Sequence, residues 1–206
     1  MEEKILFEHY FSERPTSKIV EKEFDFKVKG SKLHFKSVSG VFAYGFPDMA
    51  SVVLVRNFPE LSGGDLLDLG CGYGFIGISL KASNPNINLF MSDVNERAFE
   101  YAKMNAKNNN IQAEVKKGNG FEPWNDHLFD FIAFNPPMAA GKRVWVDLVE
   151  ESYTHLKGGG ALICVGFHNK GGSTIEREMK RVFGKTSTLV KDGGIRVYLS
   201  SRNDKI

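Results

Sequence analysis

The sequence predicts an α/β fold, a mostly parallel sheet with helices on both faces. Three observations predict it. From residue 65 onward, short continuous apolar runs alternate with segments of helical periodicity. That is the pattern of strands buried on both faces and joined by crossover helices. A glycine-rich turn, Asp68-Leu69-Gly70-Cys71-Gly72-Tyr73-Gly74, lies between the first of these apolar runs and the helix that follows. Near the end, two short runs flank Lys-Asp-Gly-Gly, which reads as a closing hairpin with one antiparallel strand at or near the sheet edge.

The elements follow in order. Residues 24–38 alternate apolar and polar around Gly30, a hairpin signal. Its alternation sets Phe24, Phe26, Leu33 and Phe35 on one side, opposite a lysine-bearing side that includes Lys27, Lys29, Lys32 and Lys36. Residues 47–57 read as a helix with Pro47 in the first turn. Strand 65–69 precedes helix 75–82, and strand 88–92 precedes helix 96–108, which ends in an Asn run. Strands follow at 113–117 and 129–134. A helix over 144–156 stops at Gly158-Gly159-Gly160. Strand 161–167, helix 174–183 and strands 186–190 and 195–200 complete the chain. Residues 1–40 form an N-terminal extension with the hairpin, packed on one domain spanning 41–206.

Composition narrows the class. Of 206 residues, 42% are hydrophobic and 25% charged, which excludes disordered and collagen-like chains. A net charge of +2 is too mild to point to nucleic acid without knowing where the charge sits. Cys71 and Cys164 lack metal-ligand spacing and read as small core residues of a cytoplasmic protein. The five His residues are dispersed, and no metal site is expected. The opening MEEKILFEHYFSERP is charged, so neither a secretory signal nor a membrane span is expected there.

The glycine loop carries the strongest chemistry. Glycines between a strand and a helix let the backbone turn sharply and approach a ligand. Gly72-Tyr73-Gly74-Phe75-Ile76-Gly77 also fits the GxGxxG of dinucleotide sites, a weak signal alone. Asp68 separates the two possibilities. Its carboxylate opposes a pyrophosphate at a helix N-terminus but favours a ligand carrying an ammonium and a sulfonium. Asp93 ends the next strand, where a carboxylate can accept both hydroxyls of a ribose. It fits a nicotinamide dinucleotide as well, so it supports an adenosine ligand in general. Gly118-Asn119-Gly120-Phe121 follows the third strand. Asn119 could bond an adenine edge and Phe121 pack on its face, or the segment is a plain Asn-Gly turn.

Asn135-Pro136-Pro137-Met138 follows the 129–134 strand and so faces the same crevice. Two prolines stiffen the backbone and leave carbonyls without companion donors. An amide oxygen plus a proline carbonyl makes two acceptors, which suits holding an NH2 group by both hydrogens. A nitrogen on a base or amide is a poor nucleophile because its lone pair is delocalised. Freezing it in line with the bond to be broken can supply about 7–11 kcal/mol.

With these motifs together, the chain resembles class I S-adenosylmethionine-dependent methyltransferases. More narrowly, it is similar to the small-domain methyltransferase family that includes ribosomal RNA guanine-N2 methyltransferases. The carriers are Gly40-Val41-Phe42 with Asp48, the glycine loop, Ser92-Asp93-Val94-Asn95, Asn-Pro-Pro and the Gly158–Gly160 turn, from about residue 35 to the end. The resemblance implies a Rossmann-like, seven-stranded sheet and S-adenosyl-L-methionine as cofactor. It implies that Asp68, Gly70, Cys71, Gly72 and Gly74 wrap the methionine part. Asp93 and Val94 would hold the ribose, and Asn119, Gly120 and Phe121 the adenine. Asn135, Pro136, Pro137 and Met138 would hold the target nitrogen, with Asn135 also touching the cofactor. Phe42 would line the cofactor or substrate pocket. Met138 stands where many relatives carry Tyr or Phe, and Asn119 where many carry Asp.

The substrate that follows is an exocyclic amino group of RNA, guanine N2 in ribosomal or transfer RNA. Lys142 and Arg143 would meet phosphate, and the lysine side of the hairpin would extend the RNA surface. A protein glutamine-N5 methyltransferase uses a similar motif on a similar amide and is the runner-up. A non-catalytic RNA-binding scaffold and an NAD-linked oxidoreductase are more distant readings.

Overall fold

The computed structural model describes residues 13–203. The first twelve residues of the expected extension, and the absence of a leader expected there, lie outside the described residues. The elements are β1 (Glu21–Val28), β2 (Ser31–Val38), α1 (Met49–Arg56), β3 (Gly64–Leu69), α2 (Phe75–Ser83), β4 (Ile87–Asp93) and α3 (Glu96–Asn108). Then come β5 (Ala113–Lys117), β6 (Phe129–Phe134), α4 (Lys142–His155), β7 (Leu156–Phe167), α5 (Gly172–Phe183), β8 (Ser187–Asp192) and β9 (Ile195–Ser201).

Seven strands form one sheet in the order β5-β4-β3-β6-β7-β9-β8. Strands β3 to β7 pair in parallel, while β9 runs antiparallel between β7 and β8. This is the expected Rossmann-like architecture with its closing antiparallel hairpin. The chain winds outward through β3, β4 and β5, then returns to place β6 on the other side of β3. The carboxyl ends of β3 and β6 therefore open a crevice at the switch point.

Side chains alternate across the sheet with period two and feed two cores. Leu66, Ala133, Ile163 and Val165 face a core shared with α1, α2, α3 and the β1–β2 hairpin. Leu67, Ile132, Phe134, Leu162 and Cys164 face a second core with Trp145 and Val149 of α4 and Ile175, Met179 and Phe183 of α5. Both cysteines are buried and free. No helix of the described residues is long and apolar enough to cross a membrane.

The hairpin is held by aromatics. Phe24 stacks on Phe35 at 5.5 Å between centroids, and Phe26 meets Phe75 of α2 edge-on at 4.8 Å. Burying each such ring stabilises by about 1.5–3 kcal/mol. Two asparagines at the end of α3, Asn105 and the C-cap Asn109, finish the join. Asn105 exchanges two bonds with the Lys36 backbone at 2.9 Å, and Asn109 two with His34 at 2.8 Å. Two side chains thus stand in for a strand at the outer edge of β2.

Two expectations are corrected. The lysine-bearing side of the hairpin is a mixed-charge surface. Lys32 pairs with Asp25 and Lys36 with Glu23, each at 2.8 Å, and Lys29 with Glu60 at 2.9 Å. Glu23 lies directly across from Lys36 and Asp25 diagonally from Lys32, so acids on β1 cancel the positive field. The Gly158–Gly160 turn is also not a helix stop, because α4 ends at His155 and β7 begins at Leu156. A Cβ at Gly160 would lie 3.0 Å from the carbonyl oxygens of Phe129, Asp130 and Lys157. Glycine there lets β7 close on β6 where the register between them shifts.

Candidate active site

The crevice at the switch point holds a cavity of about 390 Å³, a size suited to a small organic ligand. The first turn of the glycine loop supplies Gly70 and Gly72, and the tip of β4 supplies Asp93 and Val94. The loop after β5 supplies Asn119 and Gly120, and the loop after β6 supplies Asn135, Pro136 and Pro137. Val41 and Phe42 close one side, and Val144 and Leu148 of α4 the other.

Gly70, Gly72 and Gly74 all have positive φ, at 68°, 55° and 88°, a conformation that a side chain resists. This backbone turns the Gly72 N–H onto Asp93 Oδ2 at 2.8 Å. The Asn95 N–H donates to Asp93 Oδ1 at 2.9 Å. Burial pushes the Asp93 carboxyl up to about 6, against the backbone N–H groups that hold it down.

Asp68 is placed differently from the expectation. Its carboxylate lies behind the glycine loop, not on the cavity wall. Oδ2 accepts from the Gly77 N–H at 2.7 Å, and a Cβ at Gly77 would come within 3.0 Å of that same oxygen. The third glycine of the string therefore serves helix-on-strand packing. Oδ1 is buried with no hydrogen-bond partner among the described residues. Burial, with the Asp93 charge added, raises the Asp68 carboxyl to about 7. An unpaired buried carboxylate oxygen beside a loop of glycines fits a cationic ligand, met directly or through water.

Other expected residues divide. Phe42, Val94, Asn119, Gly120, Asn135, Pro136 and Pro137 line the cavity as the sequence predicts. Cys71 and Gly74 do not; Cys71 is buried, and Gly74 serves as the N-cap of α2. Phe121 is 2% exposed in the second core, stacked on His155 at 4.2 Å, so its ring is turned from any adenine. Met138 lies at the rim, where a Cβ on Gly171 would come within 2.3 Å of its terminal methyl. It packs on that turn and leaves the cavity to the prolines. Lys142 and Arg143 flank the wall residue Val144 without lining the cavity. Lys142 pairs with Glu178 at 3.5 Å and Arg143 with Asp147 at 3.7 Å.

Sequence reasoning missed two supports. Arg97 donates to the carbonyls of Pro15, Ser17 and Ser39, and Asn95 donates to the Gly40 carbonyl at 2.9 Å. These bonds strap the N-terminal segment and the Val41–Phe42 loop to α3. Asp48 is the N-cap of α1, which leaves Pro47 outside the first turn expected for it, and Asp48 Oδ2 accepts from Asn135 Nδ2 at 3.2 Å. Asp48 was named in the sequence only as part of the resemblance, and nothing local linked it to a loop 87 positions away.

The methyltransferase small domain family matches residues 32–199. The uncharacterized protein YbxB of Bacillus subtilis is 36% identical over 91% of this chain and 94% of its own length. Ribosomal RNA small subunit methyltransferase C of Stutzerimonas stutzeri is 30% identical over 91% of this chain, which spans 57% of that relative. Among solved structures, the 16S rRNA N2 methyltransferase of T. thermophilus, in complex with AdoMet and guanosine, superposes with a TM-score of 0.80 at 24% identity. That match covers 92% of this chain and 52% of the other. With a cavity bounded by a glycine loop, Asp93 and Asn-Pro-Pro, this chain belongs to the methyltransferase small domain family and is an S-adenosylmethionine-dependent methyltransferase.

Proposed function

We propose that the chain methylates an exocyclic amino group of RNA, with guanine N2 as the acceptor. The observation that carries the reading is one continuous cavity with Asp93 at one strand tip and Asn135-Pro136-Pro137 at another. The names of the small-subunit methyltransferase C relatives support RNA as the substrate.

The cofactor supplies a methyl group on a sulfonium. The chain's residues position the nitrogen that takes it. Asn135 and the Pro136 carbonyl offer acceptors to the two amino hydrogens. The Pro136 carbonyl already accepts from the Met138 N–H at 2.8 Å and keeps its second lone pair. Among the described residues, Asp93 is the one ionisable side chain on the cavity wall, and two backbone N–H groups occupy its oxygens. Rate enhancement then comes from orientation, with the amino proton lost after transfer. Arg143 stands beside the wall in an exposed ion pair worth about 0–1 kcal/mol, and the exposed Lys142 shares a buried Glu178 with Arg177 and Arg181, so phosphate can take up either cation without leaving its acid unpaired or costing much.

The test is transfer of labelled methyl to in vitro transcribed small-subunit ribosomal RNA, followed by nucleoside analysis. Label in N2-methylguanosine is expected. Asn135→Ala should lower kcat by about 100-fold or more, well beyond any loss of cofactor affinity. Label in a glutamine-bearing peptide and none in RNA would reverse the assignment.

A further inference from the structure

Asn135 can work as an acceptor only if its amide oxygen, and not its NH2, faces the substrate. An Asn side chain exchanges these two ends by a rotation about χ2, which is broad and roughly two-fold. What surrounds the far end of the amide therefore decides its chemistry.

The far end meets the start of α1. Asp48 Oδ1 accepts from the Ala50 N–H at 2.9 Å, and Oδ2 from the Ser51 N–H at 3.3 Å. The Ser51 hydroxyl donates to the same Oδ2. Asn135 Nδ2 then donates to Asp48 Oδ2 at 3.2 Å and to Ser51 Oγ at 3.0 Å. The three side chains close a ring of hydrogen bonds. An ionised carboxylate only accepts, and the Ser51 proton is already committed to it. Asp48 cannot donate to the amide, and Ser51 could do so only by giving up its bond to Asp48, so an oxygen turned toward them would face the carboxylate unpaired and break the ring. Ser51 is buried, which makes that alternative costly.

We infer that Asp48 and Ser51 are positioning residues that hold the Asn135 amide with Oδ1 presented to the cavity. The inference rests on the reading of Asn135 as the acceptor for an amino group. Asp48 does not line the main cavity, so its effect passes through Asn135.

The polarity of the ring makes a swap test possible. Asp48→Asn keeps a competent helix cap, since Asn and Asp cap equally well. Its one amide oxygen can serve the Ala50 N–H or the Ser51 and Asn135 donors but not both, so the ring loses an acceptor and the Asn135 amide is no longer held in one orientation. The expected result is a fall in kcat on the order of 30- to 100-fold on the same ribosomal transcript. Cofactor affinity should stay within about twofold. Adding Asn135→Asp to Asp48→Asn restores an acceptor at both ends and should recover much of the loss. Asn135→Asp alone sets two carboxylates together and should be impaired.

A second readout needs no methyl acceptor. The Asn135 side-chain amide resonances should shift, and their protons exchange faster, in Asp48→Asn. Unmoved resonances, wild-type kcat in Asp48→Asn, or a double variant no more active than the single would overturn the inference. Wild-type kcat in Asn135→Ala would instead overturn the reading of the site on which it rests.

Discussion

Asp68 and Asp93 end neighbouring parallel strands, and burial lifts both carboxyls, to about 7 and about 6. Protons bind these groups more tightly in the folded chain than in the unfolded one. The free protein's stability should therefore fall as pH rises from the ordinary carboxylate range to about 7. A cationic cofactor favours the ionised forms, so its affinity should rise over the same interval and then level off. Thermal shifts with and without S-adenosylmethionine, at about pH 5.5 and about pH 8, read both slopes. A cofactor-induced shift no larger at the higher pH would refute the coupling. Asp93→Ala should weaken cofactor binding by on the order of 10- to 100-fold, the cost of a lost charged hydrogen-bonding partner; calorimetric titration measures it. The places of Asp93 and Asn135 on the cavity wall were legible, because each side chain sits at a strand tip. That of Phe121 was not, because an aromatic one position beyond a cavity residue points to the opposite side of the loop, into the second core.

The elements themselves were more legible than their contacts. The spans of α3, β5 and β6 agree with the sequence prediction, because each combines a clear period with a marked end. The Asn95 side chain caps α3 by accepting from the Arg97 and Ala98 N–H groups at 2.9 and 3.1 Å. Gly158–Gly160 misled because glycine ends a helix and permits a close strand approach with the same lack of a side chain. Gly160→Ala should cost about 1–3 kcal/mol through crowding against three carbonyls. Its thermal midpoint should fall by several degrees, with cofactor affinity at the stabilised temperature unchanged. Arg97→Ala should free residues 13–18 from α3, seen as faster amide exchange there and in the 39–42 loop. Unchanged exchange would show the strap to be redundant.

At the scale of the whole molecule, alternation of strand and helix was enough to put the glycine loop and Asn-Pro-Pro at the carboxyl ends of the strands, while the strand order that fixes the switch point came from the structure. The basic surface was not legible. Charge along one strand does not reveal the acids that face it on the next, and Lys32 and Lys36 are neutralised by Asp25 and Glu23. If Lys142 and Arg143 meet phosphate, replacing both by Ala should reduce the salt dependence of RNA binding by about two counterions. An unchanged slope of log affinity against log salt would place the phosphate contacts elsewhere. The sheet order also imposes a schedule on the chain as it is made. Strand β9 lies between β7 and β8 yet follows both in sequence, and β8 has no other partner in the sheet. Until residues 195–201 leave the ribosome, β8 has nothing to pair with and β7 keeps an open hydrogen-bonding edge. A nascent chain held just short of that point carries the parallel strands β5 to β7 complete and the edge of β7 exposed. Its exposure to misassembly should be greatest then, and should end as the last strand threads into place.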